Sequence, residues 1–306
     1  MPALLPEFPF PSVSMGQPLS ETATRRPCAR SRDLRVGLLM NASKHNFRDH
    51  RMDELLGKSE VHPEALSRSI QDLETFTGQP MIQLAQRYWT SPHAPETTDR
   101  KALLSFYAES KRYLYESTYT EGYLDHQRLA RILAKGLRCK RRWPVLDFGG
   151  GGGGLAQTLA QAGIRVEYAD VPGVLTRFAQ WRFAQRKLNI PVMDATQPLF
   201  AQHYGTILAI DVLEHIPNLE ETLQEFRRAL RPQGWLLTTH SFGDPDPLHT
   251  VQTHRYADLK RFVELLHLNG FRYRGRLKVD PFSDALYRIF RSLRIFNTRL
   301  SRRMKG

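Results

Sequence analysis

Short apolar runs alternate with segments of helical periodicity in the second half of the chain. The runs read PVLDF, RVEYAD, IPVMD, TILAID, GWLLTTH and GFRYRGRL, and between them apolar positions recur at helical spacing. Such runs are typical of buried strands, and such spacing is typical of helices packed on a sheet. The alternation favours an α/β fold in which a mostly parallel sheet carries helices on both faces. We therefore predict one such domain over residues 141–280.

A purely helical pattern precedes this domain. Leu66, Ile70 and Leu73 recur at helical spacing, and an aromatic-rich stretch with the same period follows a proline-rich break. We expect residues 61–140 to form a helical cap in front of the sheet. Residues 1–60 are rich in Pro, Ser, Thr and Arg and show no sustained period, so we predict a disordered tail there.

The last segment of the chain, residues 281–306, has a third pattern, with apolar residues on one stripe of a helical projection and arginines opposite. The apolar stripe contains Leu286, Ile289, Phe290, Leu293, Phe296 and Leu300. This pattern predicts a basic amphipathic helix. Three interpretations are open: packing on the sheet, adsorption to an anionic membrane through residues 284–303, or contact with nucleic-acid phosphates. Because few aromatic residues lie among the arginines outside the apolar stripe, nucleic acid is the less favoured partner.

Composition and charge narrow the class of protein. The 306 residues carry a net charge of +13 and 41% hydrophobic residues, which allows a sizeable core and excludes disorder of the whole chain. Eleven basic and two acidic residues fall between positions 272 and 306, so the excess charge is concentrated there and suggests an anionic partner. Two cysteines exclude a disulfide framework and a cysteine-based zinc site, and we predict no metal. The sequence shows neither a transmembrane stretch nor a secretory signal, so we expect a cytoplasmic protein, with peripheral membrane association as an option.

Six consecutive glycines, residues 149–154, follow Asp147 and Phe148 at the end of the first predicted strand. Glycines at this point let the backbone approach a ligand closely at the N-terminus of the next helix. A turn without a ligand would lose stability from so many glycines, which disfavours a purely structural role. The run satisfies both GxGxG and the dinucleotide pattern GxGxxG, so it does not choose between cofactors by itself.

Three aspartates follow three successive predicted strands. Asp147 precedes the glycines, where a ligand with an ammonium group would benefit from its charge. Asp170 ends the second strand, at the distance at which an acid reaches ribose hydroxyls, and Asp194 ends the third, where it could accept from an adenine amino group. Each alone could equally be a solvated residue at a strand end. Together they lie where ligands bind in open α/β sheets, which favours a ligand over chance.

With these motifs in view, the sequence resembles the class I S-adenosylmethionine-dependent methyltransferases over residues 142–277. VLDFGGGGG is similar to the first motif of that family, YADV to its ribose-binding acid, and VMDAT to its adenine-contacting acid. DVLEHI and the LRPQG turn are similar to the fourth and fifth strand block of the ubiquinone and small-molecule branch. The resemblance implies S-adenosylmethionine as cofactor and a Rossmann-like, seven-strand-type sheet. Its seventh strand is either hidden within residues 285–297 or missing.

The resemblance also implies a set of cofactor-binding residues. Asp147 would face the methionine amino group, directly or through water, and Asp170 would bind the ribose hydroxyls. Val171 would pack on adenine, which Asp194 and Ala195 would contact. The glycines implied for the methionine moiety and the ribose are Gly149, Gly151 and Gly153, and Asp211 begins the segment that borders the methyl-transfer site.

The acceptor decides whether the reaction needs a base. For a hydroxyl acceptor the first candidate is His215, just past the fourth strand, because imidazole titrates near neutral pH. His240 and His254 are further candidates, and each histidine has a structural alternative. The tyrosines of the predicted cap either line an acceptor pocket or form the core of a helical bundle. They are Tyr107, Tyr113, Tyr115, Tyr119 and Tyr123.

These observations predict a methyltransferase that modifies a small, apolar or lipid-like acceptor by O- or C-methylation. The fourth-strand block reads DVLE, which disfavours amino methylation of nucleic-acid bases, and neither cysteine is placed for methylation of cytosine C5. An RNA or protein methyltransferase remains an alternative with the same fold. A non-catalytic S-adenosylmethionine-binding scaffold protein and a nicotinamide dehydrogenase are alternatives from other classes.

Overall fold

A computed structural model describes most of the chain from position 62 onward. The described residues are 62–90, 95, 97, 99–140, 143–216, 218–239, 259–278 and 292–298. The tail predicted for residues 1–60 lies outside them, and so do the candidates His240 and His254. Among the helices that the structure describes, none is long and apolar enough to cross a membrane.

Within the described residues, five helices precede the first strand. They are α1 (Pro63–Thr77), α2 (Met81–Thr90), α3 (Arg100–Glu109), α4 (Lys111–Thr120) and α5 (Leu124–Lys140). Leucines on the apolar faces of α1, α2 and α4 form a common cluster that also includes Val174 and Phe178 from the following domain. The apolar faces that predicted the cap therefore bury themselves both against each other and against the sheet domain.

The fifth helix packs on the sheet instead of joining this cluster. Leu129, Leu133 and Leu137 are buried in one core with Val145 and Leu155, which belong to the strand and helix that follow. The cap predicted for residues 61–140 is thus shorter in the structure, since its last helix forms part of the layer that covers the sheet. Helical periodicity marks a buried face but does not name the surface that covers it.

Seven strands and four helices follow in the rest of the described chain. They are β1 (Val145–Phe148), α6 (Gly154–Gln161), β2 (Val166–Asp170), α7 (Val174–Gln185), β3 (Val192–Asp194), β4 (Tyr204–Ile210), α8 (Leu219–Ala229), β5 (Leu230–Thr239), α9 (Leu259–Leu268), β6 (Phe271–Lys278) and β7 (Ser292–Thr298). A short 3₁₀ turn, Leu213–His215, lies between β4 and α8. The predicted α/β fold is confirmed.

All seven strands form one sheet in the order β3-β2-β1-β4-β5-β7-β6. Strands β1 to β5 pair in parallel, and β7 runs antiparallel to both β5 and β6. From β1 the chain first proceeds outward through β2 to β3, and it then returns to the other side of β1 with β4. This reversal places a topological switch point between β1 and β4, where open α/β sheets bind ligands.

The helix predicted over residues 281–306 is wrong for the part that the structure describes, because residues Ser292–Thr298 form the strand β7. Residue Leu237 of β5 pairs with Ile295, and Phe271 of β6 pairs with Thr298. In this segment apolar residues also alternate with polar ones, so local periodicity allows a strand as well as a helix. The slot between β5 and β6 supplies two ladders of backbone hydrogen bonds, which decides in favour of the strand. The seventh strand is therefore present, and it overlaps the range 285–297 in which the sequence allowed a hidden strand.

Two hydrophobic layers hold the sheet. On one face, side chains of α8 and α9 such as Phe226 and Phe262 are fully buried against β4 and β5. On the other face, α5, α6 and α7 bury leucines and Phe183 against β1 and β2. With helices on both faces, the ligand-accessible part of the sheet is the edge formed by the carboxyl ends of its strands.

Candidate active site

A cavity of about 390 Å³ opens at the switch point, at the carboxyl ends of β1, β2 and β4. The size lies within the range of small-molecule sites. Helix α3 and the start of α4 form the opposite wall of the cavity. The predicted site residues that line it are Gly149, Gly151, Asp170, Val171, Ala195, Asp211 and His215. Asp147, Gly153 and Asp194, which the sequence also assigned to the site, do not line it.

The glycine loop follows a fixed alternation of backbone conformation. Gly149, Gly151 and Gly153 have φ angles of 67°, 54° and 77°, in the left-handed region. At Gly149 a Cβ atom would lie 2.4 Å from Cγ2 of Val212, and at Gly153 one would lie 2.8 Å from the ring of Phe183. Glycine is thus required both by the backbone conformation and by close packing on the two sides of the loop.

Replacing Gly149 by alanine should destabilise the protein, because the new methyl group would collide with Val212 while the backbone holds a left-handed conformation. We expect a loss of about 2–4 kcal/mol in the free energy of unfolding, measured by chemical denaturation. Gly163→Ala is the matched control, since Gly163 has a φ of 76° but nothing within 4 Å of its Cβ position. The control should lose only about 1–2 kcal/mol, and equal losses in the two variants would contradict the packing argument.

Asp147 lies beneath the loop and is 2% exposed. Within the described part of the chain, its Oδ2 atom has no hydrogen-bond partner. Burial raises the pKa of this carboxyl to about 7; the backbone N–H of Ala156 opposes the shift and the charge of Asp170 adds to it. An acid buried in this way is suited to a cationic group, which would restore its ordinary ionisation.

Asp170 at the end of β2 binds the glycine loop. Its Oδ1 accepts from the backbone N–H of Val171 at 2.7 Å, and its Oδ2 accepts from that of Gly151 at 2.8 Å. The hydroxyl of Tyr168 donates to the carbonyl oxygen of Gly151 at 2.7 Å, which fixes the loop from a second direction. Burial raises the pKa of Asp170 to about 6, against the lowering effect of these backbone hydrogen bonds. Because a carboxylate has about four acceptor positions, room remains for the hydroxyls of a ligand.

At the end of β3 the contacts differ from those that the sequence suggested. The Oδ1 atom of Asp194 accepts from both the backbone N–H and the hydroxyl of Thr196, at 2.8 and 2.6 Å. The carboxylate therefore closes a local turn, and Ala195, Thr196 and Gln197 line the cavity in its place. The signal that could have found this is the D-x-T spacing, which is typical of such turns.

Asp211 follows β4 with a φ of 52°. Its backbone N–H donates to the hydroxyl oxygen of Thr239 at 3.0 Å, and that hydroxyl donates to Oδ1 of Asp211 at 2.8 Å. A left-handed conformation at a residue other than glycine costs free energy and concentrates at functional sites. The paired contacts with Thr239 hold Asp211 in this conformation at the cavity wall.

His215 ends the 3₁₀ turn and faces two tyrosines of the cap. Its ring makes edge contacts with Tyr107 and Tyr113, at centroid distances of 5.9 and 6.0 Å, and its Nδ1 lies 3.5 Å from the hydroxyl of Tyr107. Burial raises the pKa of Tyr107 to about 12, a hydrogen bond with Tyr113 opposes this shift, and the charge of Glu214 adds to it. Tyr107 therefore stays protonated near neutral pH. If Nδ1 of His215 carries the proton and donates to Tyr107, Nε2 keeps a lone pair that can accept a proton.

The sequence left two roles open for the tyrosines of the cap, lining of an acceptor pocket or packing in the core of the cap, and the structure shows both. Tyr107 and Tyr113 line the cavity. Tyr115 and Tyr119 are 5% and 9% exposed, stack on each other at 6.0 Å and belong to the interior of the cap. Tyr119 also contacts Tyr123, at 5.6 Å.

Several lining residues were missed by the sequence analysis. Arg100, Leu103, Leu104 and Tyr107 occupy one face of α3 at spacings of three and four residues, and this face forms the cap wall. Phe226 of α8 closes the cavity from the sheet side. The helical period of α3 was a usable signal, but only the fold shows that its face meets the glycine loop. In the described ranges, no group of three His, Cys, Asp or Glu side chains is arranged to hold a metal.

Several known proteins are similar to this chain in sequence. Residues 118–274, about half of the chain, match a family described as a methyltransferase domain. A "Ubiquinone biosynthesis O-methyltransferase" from Nitrosospira multiformis is 29% identical over 122 residues, which cover 38% of this chain and 46% of that protein. A protein of the same name from Xanthomonas oryzae pv. oryzae is 24% identical over 165 residues, 48% of this chain and 68% of that protein.

The chain thus spans only about half the length of the Nitrosospira relative.

Among solved structures, a magnesium protoporphyrin IX methyltransferase from Synechocystis PCC 6803 with bound S-adenosylmethionine is similar to this chain. It is 22% identical with a TM-score of 0.41, and the match covers 58% of this chain and 81% of that chain. The family match begins inside α4 and includes all of α5, in agreement with the packing of α5 on the sheet. The chain belongs to this methyltransferase family, in the class I group whose cofactor is S-adenosylmethionine.

Proposed function

We propose that this protein transfers a methyl group from S-adenosylmethionine to an oxygen atom of a small, apolar acceptor. One observation carries the proposal: a single cavity joins the cofactor-side residues Gly151 and Asp170 to a wall formed by Leu103, Tyr107 and His215. A methyl donor and an acceptor bound in this cavity would therefore be in direct contact, with no protein between them. Holding two reactants in this way can contribute about 7–11 kcal/mol to the lowering of a barrier.

The residues present fit the cofactor. Asp147 does not line the cavity, so its buried carboxyl, whose Oδ2 lacks a hydrogen-bond partner in the described chain, would bind the ammonium group of the methionine moiety through a bridging water. Asp170 would accept from the ribose hydroxyls, and Val171 and Ala195 would border the adenine. When bound, S-adenosylmethionine supplies a methyl group on a positively charged sulfur, which is already activated for displacement.

The acceptor oxygen must lose its proton as it attacks. His215 is the base that we propose, acting through Nε2 while Nδ1–H donates to the hydroxyl oxygen of Tyr107. Asp211 would border the transfer site from β4, where its contacts with Thr239 hold it at the cavity wall. Asp194 is less suited to the adenine contact than the sequence suggested, since its Oδ1 is taken up by Thr196.

The lining of the cavity and the names of the relatives support an aromatic or lipid-like acceptor. Leu103, Leu104, Phe148, Ile216 and Phe226 present apolar surface to the cavity. The relatives are named for O-methylation in ubiquinone biosynthesis, so hydroxylated aromatic rings with an apolar chain are the first compounds to test.

The test is a methyl-transfer assay with purified protein, labelled S-adenosylmethionine and a panel of hydroxylated aromatic compounds with and without apolar chains. We expect label in one of these compounds, and a gain of one methyl group in its mass. Total RNA and a protein extract are included as competing acceptors, and label in either would favour the corresponding alternative. Tight cofactor binding without label in any acceptor would overturn the proposal and favour a non-catalytic binding protein.

We infer a cytoplasmic location from the low cysteine content, with a weaker case for contact with a membrane surface through residues 284–303. The net positive charge of residues 272–306 supports attraction to anionic lipids. The strand β7 replaces the amphipathic helix over Ser292–Thr298, so burial of an apolar helical stripe in the lipid no longer supports the contact there. The small-molecule acceptor remains the principal partner.

A further inference from the structure

A buried ion pair lies behind the glycine loop, on the side away from the cavity. Arg182 of α7 is 3% exposed, and its Nη1 and Nη2 atoms donate to the two carboxylate oxygens of Glu121, both at 2.6 Å. Glu121 belongs to the turn that follows α4. The Nη1 atom of Arg182 also donates to the carbonyl oxygen of Gly152, at 2.7 Å. One guanidinium therefore links the end of the cap to the backbone of the loop.

Direct packing strengthens this link. At Gly154 a Cβ atom would lie 2.3 Å from Cδ of Glu121, so the loop backbone rests on the carboxylate itself. Ser69 of α1 donates to Oε2 of Glu121 at 2.8 Å, which attaches a second cap helix to the same group. We call the set Ser69, Glu121, Arg182 and Gly152 the loop clamp.

An outer ion pair offers a natural comparison. Asp72 accepts from Nε of Arg182 at 2.9 Å and from Nη2 of Arg186 at 2.6 Å. Arg186 directly follows the helix that contains Arg182 and binds the same aspartate of the cap. Its other contact is with the backbone oxygen of Arg182, at 3.4 Å, so it ties the cap to α7 and not to the loop.

The inner pair stays ionised. Burial by itself would raise the pKa of Glu121, but the charge of Arg182 and its hydrogen bonds outweigh burial, and the pKa is lowered. Removing one partner would leave the other charge buried without its counter-ion, which is strongly destabilising. A variant that removes both charges avoids this difficulty.

We propose that Arg182, held by Glu121, is a positioning residue for the cofactor. Its hydrogen bond fixes the carbonyl oxygen of Gly152 and thereby holds Gly151 at the cavity. As a result, the glycine loop and the cap move together. The same cap carries Tyr107 and Leu103 on the acceptor side of the cavity. Cofactor binding would then favour the arrangement of the cap that binds the acceptor, and the coupling would be reciprocal. The part of this inference that concerns the cofactor rests on the proposed function.

The test compares the double variant Arg182→Met/Glu121→Gln with the outer control Arg186→Met and with wild type. Calorimetric titration with S-adenosylhomocysteine should show binding about ten- to a hundredfold weaker in the double variant, and within about threefold of wild type in the control. Hydrogen exchange in the ligand-free proteins should show faster exchange of residues 149–154 in the double variant alone. If the double variant does not fold, Arg182→Lys serves with the same directions expected, because it keeps a counter-ion for Glu121 but lacks the guanidinium fork that joins Glu121 to the carbonyl oxygen of Gly152.

Wild-type binding and loop exchange in the double variant would overturn the inference. Equal weakening of binding by Arg186→Met would also overturn it, because docking of the cap in general would then explain the effect. If the wild type itself binds no cofactor analogue, the proposed function fails, and the exchange measurement still decides whether the clamp holds the loop.

Discussion

We expect Asp147→Asn to make the ligand-free protein more stable above pH 7 and to weaken binding of S-adenosylmethionine at least about a hundredfold. The carboxyl of Asp147 is buried, and burial raises its pKa from 3.8 to about 7. Between these values the folded protein binds a proton that the unfolded chain has released. Stability therefore falls as pH rises from about 4 to about 7, and the loss is complete above that.

An asparagine in this position removes the buried charge and keeps an oxygen for the N–H of Ala156. The gain in the free energy of unfolding at pH 8 should be of the order of 3–4 kcal/mol, with little gain at pH 4, measured by chemical denaturation at both values. Asp170→Asn is the comparison, because Asp170 binds the loop through Gly151 and Val171 and its replacement should stabilise less.

The carboxyl of Asp147 should also make cofactor binding depend on pH. If the ammonium group pairs with ionised Asp147, the dissociation constant in wild type should rise about tenfold for each unit that the pH falls below 7. The Asn variant should lack this dependence. Wild-type affinity in the Asn variant would show that Asp147 is not the partner of the ammonium group.

His215→Gln should lower kcat by about 10²- to 10⁴-fold on a hydroxyl acceptor, because it removes the proposed base. Affinity for S-adenosylhomocysteine should stay within about threefold of wild type, since the effect is on proton transfer and not on the cofactor. The acidic limb of the pH–rate profile should also disappear in the variant. Initial rates at saturating cofactor, across a range of pH, give both quantities.

The variant Tyr107→Phe distinguishes the effect of the tyrosine ring on His215 from the effect of its hydroxyl. It keeps the edge contact of the ring with His215 and the tilted contact with Tyr113, but it removes the hydroxyl that lies 3.5 Å from Nδ1 of His215. We expect a smaller fall in kcat, about tenfold, because the histidine is then less firmly oriented.

An unchanged kcat in His215→Gln would contradict the role of His215 as a base. It would indicate an acceptor that attacks without a base, such as a thiolate or a carbanion.

The residues that the sequence placed well are those fixed by local structure. Asp170, Gly149 and Gly151 line the cavity because β1 and β2 end there, and strand ends meet at one edge of a parallel sheet. His215 follows from the end of β4 in the same way. The family resemblance then supplied the ligand, which composition and spacing alone would have left ambiguous between two kinds of cofactor.

What escaped prediction depends on contacts between distant parts of the chain. Glu121 and Arg182 are separated by 61 positions, and no local pattern distinguishes them from solvated charges on helices. The strand β7 was assigned to a helix because its few residues satisfy both periods, and only the slot between β5 and β6 decides. The contact of Asp194 with Thr196, two positions further on, was not predicted either, and the assignment of Asp194 to the ligand stays a prediction. In each case the deciding partner is a tertiary contact or a turn that competes with the ligand.

The place of β7 in the sheet has a consequence for the order in which the protein is built during synthesis. It is the last of the seven described strands to leave the ribosome, yet it fills the position between β5 and β6. Until it arrives, both of these strands present an open edge to the surroundings, and open edges are templates for association with other chains. A nascent chain halted after β6 is thus an aggregation hazard, and completion of the sheet waits on the C-terminal strand.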